Sequence, residues 1–204
     1  EIRNDVAGKE FADGTPADVL KKKLDDAGLA VASVNALQRF NDWNDERASE
    51  AESLAAYTSA LGAPGIVLCP AHLESDKWDE QTAAEKLREG LEKLRPILRA
   101  HGVTGYVEPL GMRPSTMKLQ KMAVDAVSAI DGWSDYQLCY DTFQYFRCGD
   151  TRLFPEHIGL AHMSGIARPD LAPDVLTEPD RGLIFLGDRV QNIRQLRELK
   201  TSGY

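Results

Sequence analysis

Five times along this chain a polar, amphipathic stretch ends on a glycine and a short apolar run begins. The junctions fall at Gly28 ("LAVASVNAL"), Gly62 ("APGIVLCP"), Gly102 ("VTGYVEPLG"), Gly132 ("WSDYQLCYD") and Gly159 ("LAHMSG"). A glycine just past a helix supplies the left-handed cap from which a chain turns into a strand. The first four stand 34, 40 and 30 residues apart, the length of a strand–helix unit. Buried apolar strands alternating with helices argue for a parallel sheet.

The helices are legible between the glycines. Thr15-Pro16 reads as an N-cap followed by Pro at the first helical position, with Asp18 in the first turn. From Thr82 to His101, Leu87, Leu91, Leu94 and Leu98 form a stripe at helical spacing, with Pro96 expected to kink it. "STMKLQKMAVDAVSAIDG" is a further amphipathic helix whose Met117 and Met122 read as packing residues. No GxGxxG or GxxxxGK[ST] follows any strand, which removes the usual nucleotide-site argument for an open doubly wound sheet.

Six strand tails stand near Ile2, Val34, Val67, Val107, Cys139 and Ala161. A seventh strand is expected after Gly203, and one unit before residue 1 would make eight. The expected fold is therefore a single α/β domain over residues 1–204, a (β/α)8 TIM barrel lacking its first unit and last strand.

Composition narrows the function classes. The net charge of −8 opposes a phosphate backbone, so nucleic acid is not an expected partner. No run of about 18 apolar residues is present, so no membrane span is expected. Cys69, Cys139 and Cys148 lack CxxC spacing and read as free thiols of a reducing cytoplasm.

In a barrel of this type the chemistry sits at the C-terminal ends of the strands. Arg3, Asn4 and Asp5 stand at the first such end, Asn35 at the second, and Cys69 at the third with His72 just beyond. Glu108, Asp141 and His162 close the next three. Two carboxylates and an imidazole suit a divalent cation: Mn²⁺, Mg²⁺, Co²⁺ or Zn²⁺. Singly, each has a plainer reading: a carboxylate accepting backbone N–H groups, a helix cap, a satisfied core histidine. Their coincidence on three successive strands favours the metal.

"YVEPLG", "YDTFQYF" and "AHMSGI" resemble the metal-ligand segments of the xylose-isomerase-like TIM-barrel superfamily of sugar isomerases, epimerases and endonuclease IV relatives. "EIRNDVAGKEFADGTPA", "SVNALQRFNDWND", "VLCP" and "GDRVQNIRQL" resemble its inosose (2-keto-myo-inositol) isomerase-like branch. The resemblance implies that Glu108, Asp141 and His162 ligate one divalent metal, with a fourth ligand, a Glu of the final strand, expected beyond Tyr204. It implies that Glu108 also moves a proton, and that Arg168, six positions after His162, binds substrate. Relatives often carry D-T-x-H where this chain has Gln144, a poor ligand; that speaks against a multi-zinc nuclease and leaves Gln144 to hydrogen-bond a polyol. Asn35 is a candidate for a substrate hydroxyl or for fixing its own turn. Trp43 and Phe40 are candidates for a sugar-facing wall or for packing, His72 is expected to be exposed, and Asp188-Arg189 to position the last loop or cap the final helix.

The implied activity is isomerisation or epimerisation of an unphosphorylated keto-polyol or ketose through an enediolate, in carbohydrate or inositol catabolism. The alternatives are a metal-dependent dehydratase of a related keto-polyol and a non-catalytic degenerate barrel. A small sugar or polyol is the expected partner, and a homo-oligomer is compatible with the resemblance.

Overall fold

The structure is a computed structural model that describes residues 1–4, 14–168 and 170–204 of the 204-residue chain. Six parallel strands pair strictly in chain order: β1 (Ile2–Arg3), β2 (Val34–Leu37), β3 (Gly65–Leu68), β4 (Thr104–Val107), β5 (Tyr136–Asp141) and β6 (Ile158–His162). Between them run α1 (Ala17–Asp26), α2 (Asp45–Leu61), α3 (Glu80–His101), α4 (Gln120–Ala129) and α5 (Thr142–Cys148). The six strands are those whose tails the sequence marks, although β2 begins only at Val34, six residues past its glycine. A short antiparallel hairpin, β7 (Gly165–Ile166) with β8 (Arg181–Gly182), follows β6, and α6 (Asn192–Thr201) comes last. The hairpin has no counterpart in the sequence reading. Asp5 lies outside the described residues.

Caps set the element ends. Asn44 accepts the Arg47 N–H at 2.9 Å to open α2, and Asp79 accepts the Thr82 N–H at 2.7 Å to open α3 two residues ahead of the expected start. Gly62 and Gly102 close these helices at φ +71° and +65°, left-handed as expected. Two of the expected caps are corrected. After α4 the positive φ belongs to Asp131 (+50°) rather than Gly132. Gly159 lies inside β6, where a Cβ would meet the Gln137 side chain; Gly149, at φ +68°, is the cap that ends α5. At the start of α1 the capping position is Pro16 rather than Thr15, and no side chain caps it. Pro96 sits within one continuous 22-residue α3.

The period-2 alternation of the strands divides the core in two. Leu138 and Tyr140 point outward, into a layer that includes Leu54, Leu87, Leu91, Leu94 and Leu98 from the helices. Cys139 points inward with Ala36, Val67, Cys69, Tyr106 and Leu110. Met117 is buried in the outer layer and Met122 packs against it, as the packing reading expects. The sheet curls strongly: Glu1, beside β1, and His162, ending β6, approach to 3.0 Å across the inside.

Asp135, just before β5, ties the sheet to α3. Arg99 Nε and Arg95 Nε donate to its carboxylate at 2.6 and 2.7 Å. Hydrogen bonds from Arg99, then from Arg95 and Ser134, hold this carboxyl at about 2 against an ordinary 3.8, outweighing the upward push of burial. Its folded-state value is depressed, so the stabilisation is complete above the unfolded value near 4 and is lost as pH falls towards 2. Asp135→Asn should cost about 2 kcal/mol at neutral pH. In urea titrations of both proteins the gap should narrow steadily between about pH 4 and pH 2; a gap that does not depend on pH would disprove the assignment.

Candidate active site

The inward face of the strands ends in a cavity of about 410 Å³. Glu1, Arg3, Asn35, Cys69, Glu108, Asp141 and His162 reach it from the six strands. Glu108 follows β4 directly. Its N–H still donates to the Leu68 carbonyl at 3.0 Å, which keeps the backbone in register before Pro109 ends the ladder. Asp141 and His162 are register partners on β5 and β6, which sets their side chains next to each other at the rim.

Glu108 is buried. Its Oε1 lies 3.4 Å from His162 Nδ1, and its Oε2 accepts the Cys69 thiol at 3.7 Å. Burial first, and then the charge of Asp141, push the Glu108 carboxyl up, against the opposing pull of His162 and Arg181. His162 Nδ1 also stands 3.4 Å from Cys139 Sγ. Burial works against the charged imidazole, but hydrogen bonds to Glu1 and Glu108 outweigh it and raise His162 to about 10. Burial pushes the Cys139 thiol well up.

Asp141 does two things. Its Oδ1 accepts the N–H groups of Phe143 and Gln144 at 2.7 and 3.0 Å, opening α5. Its Oδ2 lies 3.0 Å from Arg181 Nη2. Among the described residues, the donor atoms that gather within 4.8 Å of one another are therefore those of Glu108, Cys139 and His162. Asp141 is the register neighbour of His162 and pairs with Arg181. A carboxylate, an imidazole and a thiol fit a divalent ion, and the sulfur favours Zn²⁺ or Co²⁺ over Mg²⁺.

The remaining expected residues divide. Asn35 and Gln144 line the cavity. Gln144 Oε1 accepts the Gly111 N–H at 2.9 Å and its Nε2 donates to Glu178 at 3.0 Å, so the amide is held between two loops. Trp43 and Phe40 are not cavity residues: Phe40 is fully buried in the outer layer and Trp43 packs against that layer. Arg168 is exposed and pairs with Asp170 at 3.4 Å outside the cavity. His72, expected to be exposed, is half-buried and lines the cavity, with Nδ1 2.8 Å from the Pro70 carbonyl. Asp188 accepts from Asn192 at 3.3 Å and Arg189 donates to the Leu171 carbonyl at 2.7 Å. These position the last loop, but the residue capping α6 is Gln191.

Besides Arg3, the cavity holds Arg181, brought there by the β7–β8 hairpin. One local signal precedes it. Thr177 and Asp180 form a capping box, with the Thr177 hydroxyl and N–H both donating to Asp180 at 2.7 and 2.8 Å. That turn ends on Arg181. Cys139 and Glu1 carried no separate signal, being read only as a buried thiol and as part of a strand.

The comparisons bear on the fold. The sequence model of the xylose isomerase-like TIM barrel family matches residues 4–204. The chain belongs to that family. It is similar in fold to a xylose isomerase domain containing protein from Salmonella typhimurium LT2, with 24% identity and a TM-score of 0.86 over 100% of this chain and 74% of that one. It is also similar to the IolI protein with a bound zinc atom, with 20% identity and a TM-score of 0.87 over 100% of this chain and 75% of the other. The 3-keto-D-glucoside 4-epimerase of E. coli aligns at 18% identity and a TM-score of 0.65, covering 91% of this chain and 84% of the epimerase. No curated protein matches the sequence. Among the described residues no helix is long and apolar enough to cross a membrane.

Proposed function

We propose that this chain is a metal-dependent isomerase or epimerase of a keto-polyol or ketose. The observation that carries the reading is the cluster of Glu108, Cys139 and His162 at the inner strand ends, opening on a polar cavity of sugar size. The family and its epimerase neighbours support it. A divalent ion held by Glu108 and His162, with Cys139 or Asp141 beside them, would act as a Lewis acid on a carbonyl and its neighbouring hydroxyl.

The chain's own groups supply the rest. Glu108 is a buried carboxylate at the cavity whose oxygens face the side chains of Cys69 and His162 rather than a helix end. It is placed to take the α-proton of a bound ketose and return it. Asp141 serves α5 and Arg181, and orients rather than transfers. The Asn35 and Gln144 amides supply hydrogen bonds for hydroxyls, and the Arg181 guanidinium stabilises negative charge developing on oxygen. The free thiols of Cys69, Cys139 and Cys148 accord with a reducing cytoplasm, where we place the reaction.

The test loads the protein with Zn²⁺, Co²⁺ or Mn²⁺, incubates it with inososes and ketoses in D₂O, and follows the carbons next to the carbonyl by NMR. Deuterium entering at the α-carbon together with an isomeric product is the expected result. A product that has lost water would reassign the chain to the dehydratases. Absence of exchange with every metal and every substrate would overturn the enzymatic reading.

A further inference from the structure

Ile2 packs into the outer layer, so the alternation of β1 turns its two neighbours, Glu1 and Arg3, inward, and both line the cavity. The Glu1 carboxylate is held from β2. The Ser33 hydroxyl donates to Oε1 at 2.6 Å and the Asn35 amide approaches Oε2 at 3.4 Å. From this seat Oε1 lies 3.0 Å from His162 Nε2, whereas Nδ1 of the same ring faces Glu108 and Cys139, each at 3.4 Å. An ionised carboxylate only accepts, so the Nε2 facing it must carry a hydrogen. Nδ1 is the nitrogen turned toward the other two donors, so an ion seated between them would take the place of the Nδ1 proton while Nε2 keeps its own for Glu1.

We infer that Glu1 is a positioning residue for the metal centre: with Ser33 behind it, it fixes the tautomer and the ring plane of His162 so that Nδ1 is presented to an ion between Glu108 and Cys139. The inference rests on the metal reading above and adds to it a chain of groups, Ser33 to Glu1 to His162, that spans the two outer strands of the sheet. Glu1 is not itself in the donor cluster. Its effect is exerted through the histidine, as carboxylates behind metal-bound imidazoles generally act. Asn35 acquires a second task, orienting Glu1.

The test measures Zn²⁺ affinity by competition with a chromophoric chelator for the parent, Glu1→Gln, Glu1→Ala and Ser33→Ala, alongside ¹⁵N–¹H spectra of the histidine rings and unfolding midpoints without metal. Glu1→Ala should weaken zinc by about 10- to 100-fold. Glu1→Gln keeps an acceptor oxygen in place and should lose less, as should Ser33→Ala. In the zinc-loaded parent, His162 should show a metal-bound Nδ1 and a protonated Nε2. Metal on Nε2, or equal zinc affinity in all four proteins, would overturn the inference. So would losses of affinity that merely track losses in the metal-free unfolding midpoint. A parent that binds no zinc would overturn the metal reading itself, and the role of Glu1 with it.

Discussion

Glu108→Gln should reduce turnover by about 10²- to 10⁴-fold, the usual worth of a positioned acid–base group, and should sharply weaken metal binding. The substitution keeps the shape of the side chain and removes both a charged ligand and a proton acceptor. Burial is the largest influence on the Glu108 carboxyl and Asp141 adds to it, and both oppose the ionised form. A charge kept at the end of a buried strand against that opposition is more costly to the fold than a neutral amide would be. The metal-free Glu108→Gln protein should accordingly unfold no earlier than the parent. Substrate turnover, zinc titration and thermal unfolding of the two proteins together check this. Full activity in the variant would remove Glu108 from the chemistry; lost activity with a collapsed midpoint would make its role structural.

Arg181→Leu is expected to produce the second large effect, with two opposite consequences. Arg181 joins the β7–β8 hairpin to the barrel: Nη1 donates to Ser164 Oγ at 2.9 Å, Nη2 reaches Asp141 at 3.0 Å, Nε donates to Glu178 at 2.5 Å, and the guanidinium lies 4.4 Å from the Phe143 ring centre. Removing one partner of a buried ion pair costs about 3–5 kcal/mol, and a quarter-exposed arginine should fall at or below the lower end. Stability should therefore drop by about 2–3 kcal/mol in urea titrations. The same change frees the Asp141 carboxylate beside Glu108 and His162, so zinc affinity should hold or rise even as kcat/KM falls. Arg168→Ala is the companion measurement. That side chain pairs with Asp170 and does not line the cavity, so kcat/KM should stay within about twofold of the parent. Equal losses from the two substitutions would return the substrate role to the Arg168 loop.

Cap chemistry and strand alternation were legible in the sequence because each depends on only a few neighbouring residues. Gly62 and Gly102 sit in the left-handed conformation that ends a helix, and six apolar runs became six parallel strands in chain order. Strand ends are equivalent places in a barrel, so the sequence alone sets Glu108, Asp141 and His162 side by side. The errors at Gly132 and Gly159 are also local. A neighbouring Asp131 took the positive φ in one case, and in the other the glycine was needed where β6 passes the Gln137 side chain.

Which side chains enter the cavity was decided by tertiary structure alone. Trp43 and Arg168 lie at plausible distances along the chain, yet the first packs against the helices and the second stays outside, because the loop after β6 is long enough to turn back as a hairpin and deliver Arg181 instead. Asp141 is a strand-end carboxylate, as its place in the sequence implies, but its partner comes from 40 residues further on. Glu1 and His162, 161 positions apart, meet only because the sheet curls. Period and capping are set by the backbone within one element. Cavity membership is set by curvature summed over six strands, a quantity that no single stretch of sequence carries.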